Sequence, residues 1–156
     1  MKVFGLLLGA GLVAVIAWLN IPSEEDRIGG RLRDFTKAVS VGPDTAPTEI
    51  AAREHKILTY FAEDAQIDLG TPFRSIHRRS ALDVLFDEPI ANGGIAVNFL
   101  DTTINFDRRL LIASGRLRVS IETNEKNYGM RVFDVALRQV QGSWLLTDLH
   151  VVVPAE

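Results

Sequence analysis

The chain has 156 residues, 47% of them apolar and 24% charged, enough for one domain and a short appendage. Such a composition excludes disorder, collagen and coiled coil. With 17 Lys and Arg against 20 Asp and Glu there is no basic surplus to neutralise phosphates, so no nucleic-acid partner is expected. The absence of cysteine removes disulfides, thiolate nucleophiles and cysteine-ligated zinc or iron–sulfur sites.

Residues 3 to 23 carry no charge, and Val3 to Leu19 (VFGLLLGAGLVAVIAWL) is an almost unbroken apolar run behind Met1 and Lys2. At about 1.5 Å per residue the run reaches roughly 25 Å and the uncharged stretch roughly 31 Å, close to a bilayer's hydrocarbon core. Residues 1–22 therefore read as a signal anchor. Lys2 before the run and Glu24, Glu25 and Asp26 after it place the amino end inside and residues 23–156 in the periplasm or outside the cell, with Trp18 near the outer interface. Val15-Ile16-Ala17 also permits signal-peptide cleavage, which would leave a secreted or periplasmic domain. Without Lys2, 16 basic and 20 acidic residues remain, a net charge of −4 that gives no attraction to anionic lipid.

Ser23 with Asp26 reads as a capping box opening a helix, whose apolar stripe is Ile28, Leu32, Phe35 and Val39. Gly29-Gly30 weakens its first turn and Gly42-Pro43 stops it. Thr45 to Thr48 caps a second helix, with Ile50, Ile57, Leu58 and Phe61 buried and an end near Ala62. Ala65 to Leu69 alternates briefly. After Gly70-Thr71-Pro72 a third helix is expected, with Ile76, Leu82, Leu85 and Phe86 inward, His77, Arg78 and Arg79 in water, and Pro89 and Asn92-Gly93-Gly94 ending it.

From Ile95 the texture becomes β-branched and aromatic in four runs: IAVNFLDTTINFD, LLIASGRLRVSIET, YGMRVFDVALRQV and SWLLTDLHVVV. Short links at Asp107-Arg108, Asn124 to Asn127 and Gln141-Gly142 make them an antiparallel meander. The fold class is α+β: about three helices packed on a curved four-stranded antiparallel sheet, cone-shaped. A two-residue turn at Gln141-Gly142 puts Phe133, Val135 and Leu137 on one face with Trp144, Leu146, Asp148 and His150, under the helices. Val132, Asp134, Ala136, Arg138 and Val140 then share the outer face with Leu145, Thr147, Leu149 and Val151. That face is apolar enough to suggest a homodimer or partner contact.

Between about Ser23 and Val153 the chain resembles the nuclear transport factor 2-like superfamily, the cystatin-like α+β cone that includes polyketide-cyclase-like proteins and ketosteroid isomerases. The carriers are LTYFAEDAQIDLG, HRRSALDVL and the closing hairpin RVFDVALRQVQGSWLLTDLHVVV. The resemblance implies a fold that hosts dehydratases, isomerases, hydrolases and domains without activity. Relatives with an amino-terminal membrane helix before the cone include inner-membrane scaffolds of type IV secretion systems, although those carry a longer tail ahead of the span.

Asp148 and His150, two apart on one strand, are the best polar pair for a cavity: a carboxylate beside an imidazole orients it and raises its basicity. The alternative is that His150 caps the mouth of the cone and Asp148 accepts a backbone hydrogen bond. Tyr60 could project toward the pocket or be a core residue with a wet hydroxyl, and Tyr128 lies near a turn. The aspartate, tyrosine and protonated acid of ketosteroid isomerases have no evident counterparts. His55, His77 and His150 are too dispersed for a metal, and no cofactor motif appears. Arg78-Arg79, Arg108-Arg109 and Arg116 with Arg118 read as solvated edges.

Three functions follow as expectations. The first is a membrane-tethered, non-catalytic domain binding a small apolar ligand or a protein partner through Tyr60, Trp144, Asp148 and His150. The second is a small proton-transfer enzyme, isomerase- or dehydratase-like, with His150 as base and Asp148 as its orienter. The third is an assembly scaffold.

Overall fold

A computed structural model describes residues 22–70, 75–76 and 94–152. Two helices, α1 (Glu24–Val39) and α2 (Pro47–Leu58), precede β1 (Phe61–Asp68), β2 (Ser75–Ile76), β3 (Ile95–Asp107), β4 (Ile112–Thr123), β5 (Asn127–Val140) and β6 (Ser143–Val151). They build a six-stranded sheet of order β2-β1-β6-β5-β4-β3. The four long strands form the expected antiparallel meander. The expected four-stranded sheet is wider because β1 adds parallel to β6 and β2 adds antiparallel to β1.

α1 starts as its sequence dictates. The Ser23 hydroxyl accepts from the Asp26 amide at 3.1 Å and the Asp26 carboxylate accepts from the Ser23 amide at 3.2 Å, satisfying two of the free donors at a helix start. Ile28, Leu32 and Phe35 are buried along one stripe. Gly29 does not break the turn; it is buried in the helix and faces Thr102 of β3. At the other end the Ser40 hydroxyl accepts from the Val97 amide at 2.9 Å, and Val41 exchanges two 2.8 Å backbone bonds with Ile95. α1 thus lies along β3 in the opposite direction.

α2 begins with Pro47 in its first turn and Ala46 at the cap, with no side-chain cap bond. Proline there costs nothing, since its missing donor would be unpaired anyway. The cap thus falls within the expected Thr45 to Thr48 segment, while the Thr45 hydroxyl accepts from the Gly42 amide at 3.0 Å and closes the preceding turn. Ile57 is buried, but Phe61 and Ala62, read as the end of this helix, open β1. Ile76, assigned to a third helix, pairs with Ile67 as part of β2. Leu82, Leu85, Phe86 and the rest of that expected helix lie outside the described residues, as does the apolar run at residues 3–19. No helix among the described residues is long and apolar enough to cross a membrane.

Among the described residues the core is one cluster beneath α1 and the start of β1, drawn from alternate residues of β4 (Leu117, Val119, Ile121) and β5 (Phe133, Val135, Leu137) and from Trp144, Leu146 and Leu149 of β6. Gln141 and Gly142 adopt φ of 50° and 80°, the left-handed pair of a two-residue hairpin turn. From that turn Gln139 faces Trp144 and Leu137 faces Leu146, as expected. The register then slips: Ala136 faces Asp148, and Val135 faces Leu149. Thr147 is the extra residue of a β-bulge, and every side chain beyond it changes face.

The outer face is consequently less apolar than expected. Leu149 turns into the core and Val151 packs against it, while Asp148 and His150 turn out. Ion pairs Arg118–Asp101, Arg116–Asp134 and Arg138–Asp64 cross the strands on that face. Each is solvated and worth little on its own, but together they make the face more polar than the sequence reading expected.

Candidate functional site

A cavity of about 90 Å³ lies between α1 and the concave face of the sheet. Phe35, Thr36 and Val39 form its helical wall, Ile57 and Phe61 close one side, and Val97, Leu117, Val119, Phe133 and Leu149 floor it. α1 supplies its wall because residues three and four apart share a helix face. The strands supply the floor through their period of two.

Thr36 is the one polar residue on the described lining, and it is 1% exposed. Its hydroxyl donates back to the Arg33 carbonyl at 2.9 Å, so its hydrogen-bonding capacity is partly used within the helix. No buried side-chain polar atom among the described residues lacks a partner. The cavity is therefore suited to dispersion and desolvation, with no acid or base on its described wall.

The four residues singled out from the sequence are not gathered here. Trp144 is buried on the helix-covered face as expected, but it fills the end of the core below the start of α1. Its indole N–H donates to the Glu24 carboxylate at 3.0 Å, and its ring meets Phe106 edge-on at 5.3 Å. The Trp144 bond, together with one that Arg27 donates at 2.6 Å, holds the Glu24 carboxyl below its ordinary value.

Tyr60 is 4% exposed in the turn between α2 and β1. Its ring packs against Phe35 at 5.7 Å and lies under the Arg31 guanidinium at 4.4 Å. Burial raises the phenol above its ordinary value, with Arg31 opposing. Arg31 also donates to the carbonyls of Trp144 at 3.1 Å and Thr59 at 2.6 Å. Tyr60 is thus a member of the core behind the cavity wall, clamped by an arginine that sequence reading did not single out.

Asp148 and His150 do stand together, 3.6 Å apart, with side chains 40% and 46% exposed. They project from the outer face, so the expectation that they enter the cavity is corrected by the bulge at Thr147. In register, His150 lies between Asp134 of β5 and Asp68 of β1. His55 is on α2 and His150 on β6, His77 lies outside the described residues, and no group of three or more metal-binding side chains occurs among the described residues.

The cavity residues were partly legible. Phe35 and Ile57 lie on the helical stripes, and Leu117, Val119 and Ile121 alternate plainly. Thr36 was missed, although its spacing of four from Leu32 places it on the buried face. Leu149 was assigned to the wrong face.

No family model matches the chain, and no curated protein matches it in sequence. Solved structures do match in fold. A nuclear transport factor 2-like protein with a cystatin-like fold from Novosphingobium aromaticivorans superposes with a TM-score of 0.60 at 15% identity, covering 93% of this chain and 89% of its own. A cystatin-like protein of unknown function from Nostoc punctiforme gives 0.61 at 13% identity, covering 85% and 95%. A scytalone-dehydratase-like protein from N. aromaticivorans gives 0.57 at 14% identity, covering 79% and 80%. The fold is that of the nuclear transport factor 2-like, cystatin-like proteins, and identities this low speak to fold alone.

Proposed function

We propose that the domain binds a small apolar molecule in the cavity between α1 and the sheet, without carrying out acid–base chemistry on it, and that residues 3–19 tether it to a membrane. The observation behind the binding role is the cavity's described lining, apolar throughout except for the buried Thr36 hydroxyl. An apolar lining offers water few hydrogen bonds, so a guest need not displace well-bonded water. A proton-transfer role drew its support from Asp148 and His150, and their outward position removes the geometric reason for placing that chemistry in the cavity.

The size sets the expected affinity. A guest of about one ring, burying ~150 Å² at ~25 cal/mol/Å², gains roughly 4 kcal/mol, which corresponds to a dissociation constant near 1 mM. Fluorine NMR of fluorobenzene with the full chain in detergent should show saturable broadening in that range. The Val119→Phe variant fills the floor and should abolish it while retaining a cooperative thermal transition. Unsaturable broadening, or saturation unchanged in Val119→Phe, would contradict the proposal.

A further inference from the structure

The sheet ends in an exposed apolar tip on the link between β3 and β4 and on the adjacent end of β5. Leu110, Leu111, Ile112 and Val140 are 66%, 45%, 45% and 39% exposed. Leu111 also adopts φ of 53°, a left-handed conformation that a leucine enters only at a steric cost. Asp107 fixes the turn by accepting from the amides of Arg109 and Leu110 at 2.8 and 3.1 Å. Nothing among the described residues covers these side chains. The turn holds Leu111 in a strained backbone conformation with its side chain half exposed beside Leu110.

The chain's own path supplies the answer. Glu24, at the start of α1, bonds to Trp144; Trp144 faces Gln139 across the hairpin; and the Gln139 amide donates to the Leu111 carbonyl at 2.9 Å. Arg108 lies close enough to Glu24 to help lower its carboxyl. The tip and the entry to α1 therefore occupy the same end of the domain. From Leu19, the last residue of the apolar run, to Ser23 the chain reaches at most about 14 Å. If the run lies in a bilayer, that short tether holds this end of the domain, and no other, at the lipid surface.

We infer that Leu110, Leu111, Ile112 and Val140 form a second membrane contact, entering the interfacial layer of the same bilayer that holds residues 3–19. Arg108 and Arg109, both exposed beside the leucines, are placed to meet lipid phosphates while the apolar side chains enter below them. This contact rests on the tethering proposed above. It fixes the orientation of the domain, with the strands rising from the membrane and β4 carrying Glu122 away from it. Over β4 the separation of Ile112 from Glu122 is about 33 Å.

The protein has no cysteine, so single reporters can be placed cleanly. The full chain carrying Leu110→Cys or Glu122→Cys, each labelled with an environment-sensitive nitrobenzoxadiazole dye, is reconstituted in phosphatidylcholine vesicles with and without spin-labelled lipid. The contact requires a blue-shifted emission and several-fold stronger quenching at position 110 than at 122. Co-flotation with vesicles but equal, water-like emission at both positions overturns the tip contact and leaves the tether standing. Failure to co-float overturns the tether, and the tip contact with it. Shielding at position 110 that appears without lipid and grows with protein concentration assigns the tip to a second copy of the chain and overturns the membrane contact.

Discussion

Ala136 lies opposite Asp148, although an unbroken hairpin counted from Gln141-Gly142 would set Thr147 there. That single displaced pair decides which side chains of β6 see the cavity. Leu149, opposite Val135, becomes a buried floor residue at 3% exposure, and His150 becomes a surface residue. Leu149→Ala should cost ~2–5 kcal/mol, while His150→Ala should stay within ~0.5 kcal/mol of the parent. Urea unfolding of the two variants checks this, and the opposite ranking would mean that β6 alternates without a bulge.

Arg31 joins three elements by bonding to the carbonyls of Thr59 and Trp144 while covering the Tyr60 ring. Removing it leaves two carbonyls to find other partners. Arg31→Met should lower stability by ~1–3 kcal/mol. Arg31→Lys should recover only part of the loss, because an ammonium lacks the planar fork that reaches both acceptors. Thermal unfolding of the pair measures the difference.

Glu24 gives the start of α1 a pH dependence with a definite sign. Its carboxyl is held below the ordinary value by the Trp144 indole and by Arg27. Protons therefore bind the unfolded chain more readily there, so the contribution is full above the ordinary carboxylate value and is lost as pH falls through the lowered one. Acidification should change Trp144 fluorescence in that range before the global transition, and Glu24→Gln should remove the early change.

Gly115 in β4 faces Ile104, and an added Cβ there would lie 1.9 Å from the Thr103 carbonyl oxygen. Backbone, not a flexible side-chain end, blocks the space, so β3 would have to move away. Gly115→Ala should destabilise by at least ~1–3 kcal/mol, measured by denaturant unfolding. Gly30, with nothing within 4 Å of its would-be Cβ, provides the contrasting position: Gly30→Ala should stabilise α1 by up to ~1 kcal/mol.

Much of this architecture was legible because it rests on local chemistry. The capping box at Ser23, the stripe Ile28-Leu32-Phe35 and the turn at Gln141-Gly142 each depend on residues within a few positions, and period two marked the four long strands. What sequence could not reveal depends on distant partners. Phe61 and Ala62 leave the helical pattern because β6 offers β1 a parallel edge, with Phe61 paired to Leu146. Ile76 joins a strand because Ile67 lies beside it. The bulge at Thr147 has no glycine or proline to announce it, so the alternation of Trp144, Leu146, Asp148 and His150 ran past it undisturbed. The resemblance in the closing hairpin pointed to the right fold while its most suggestive pair, Asp148 and His150, faced the other way.

The most direct measurement is a methyl-resolved NMR titration of the full chain with toluene. The cavity reading requires saturable shifts and ligand contacts at the methyls of Val97, Leu117, Val119 and Leu149, with the His150 ring signals unmoved. Ligand contacts centred on His150, or no saturable change at those methyls, would contradict it.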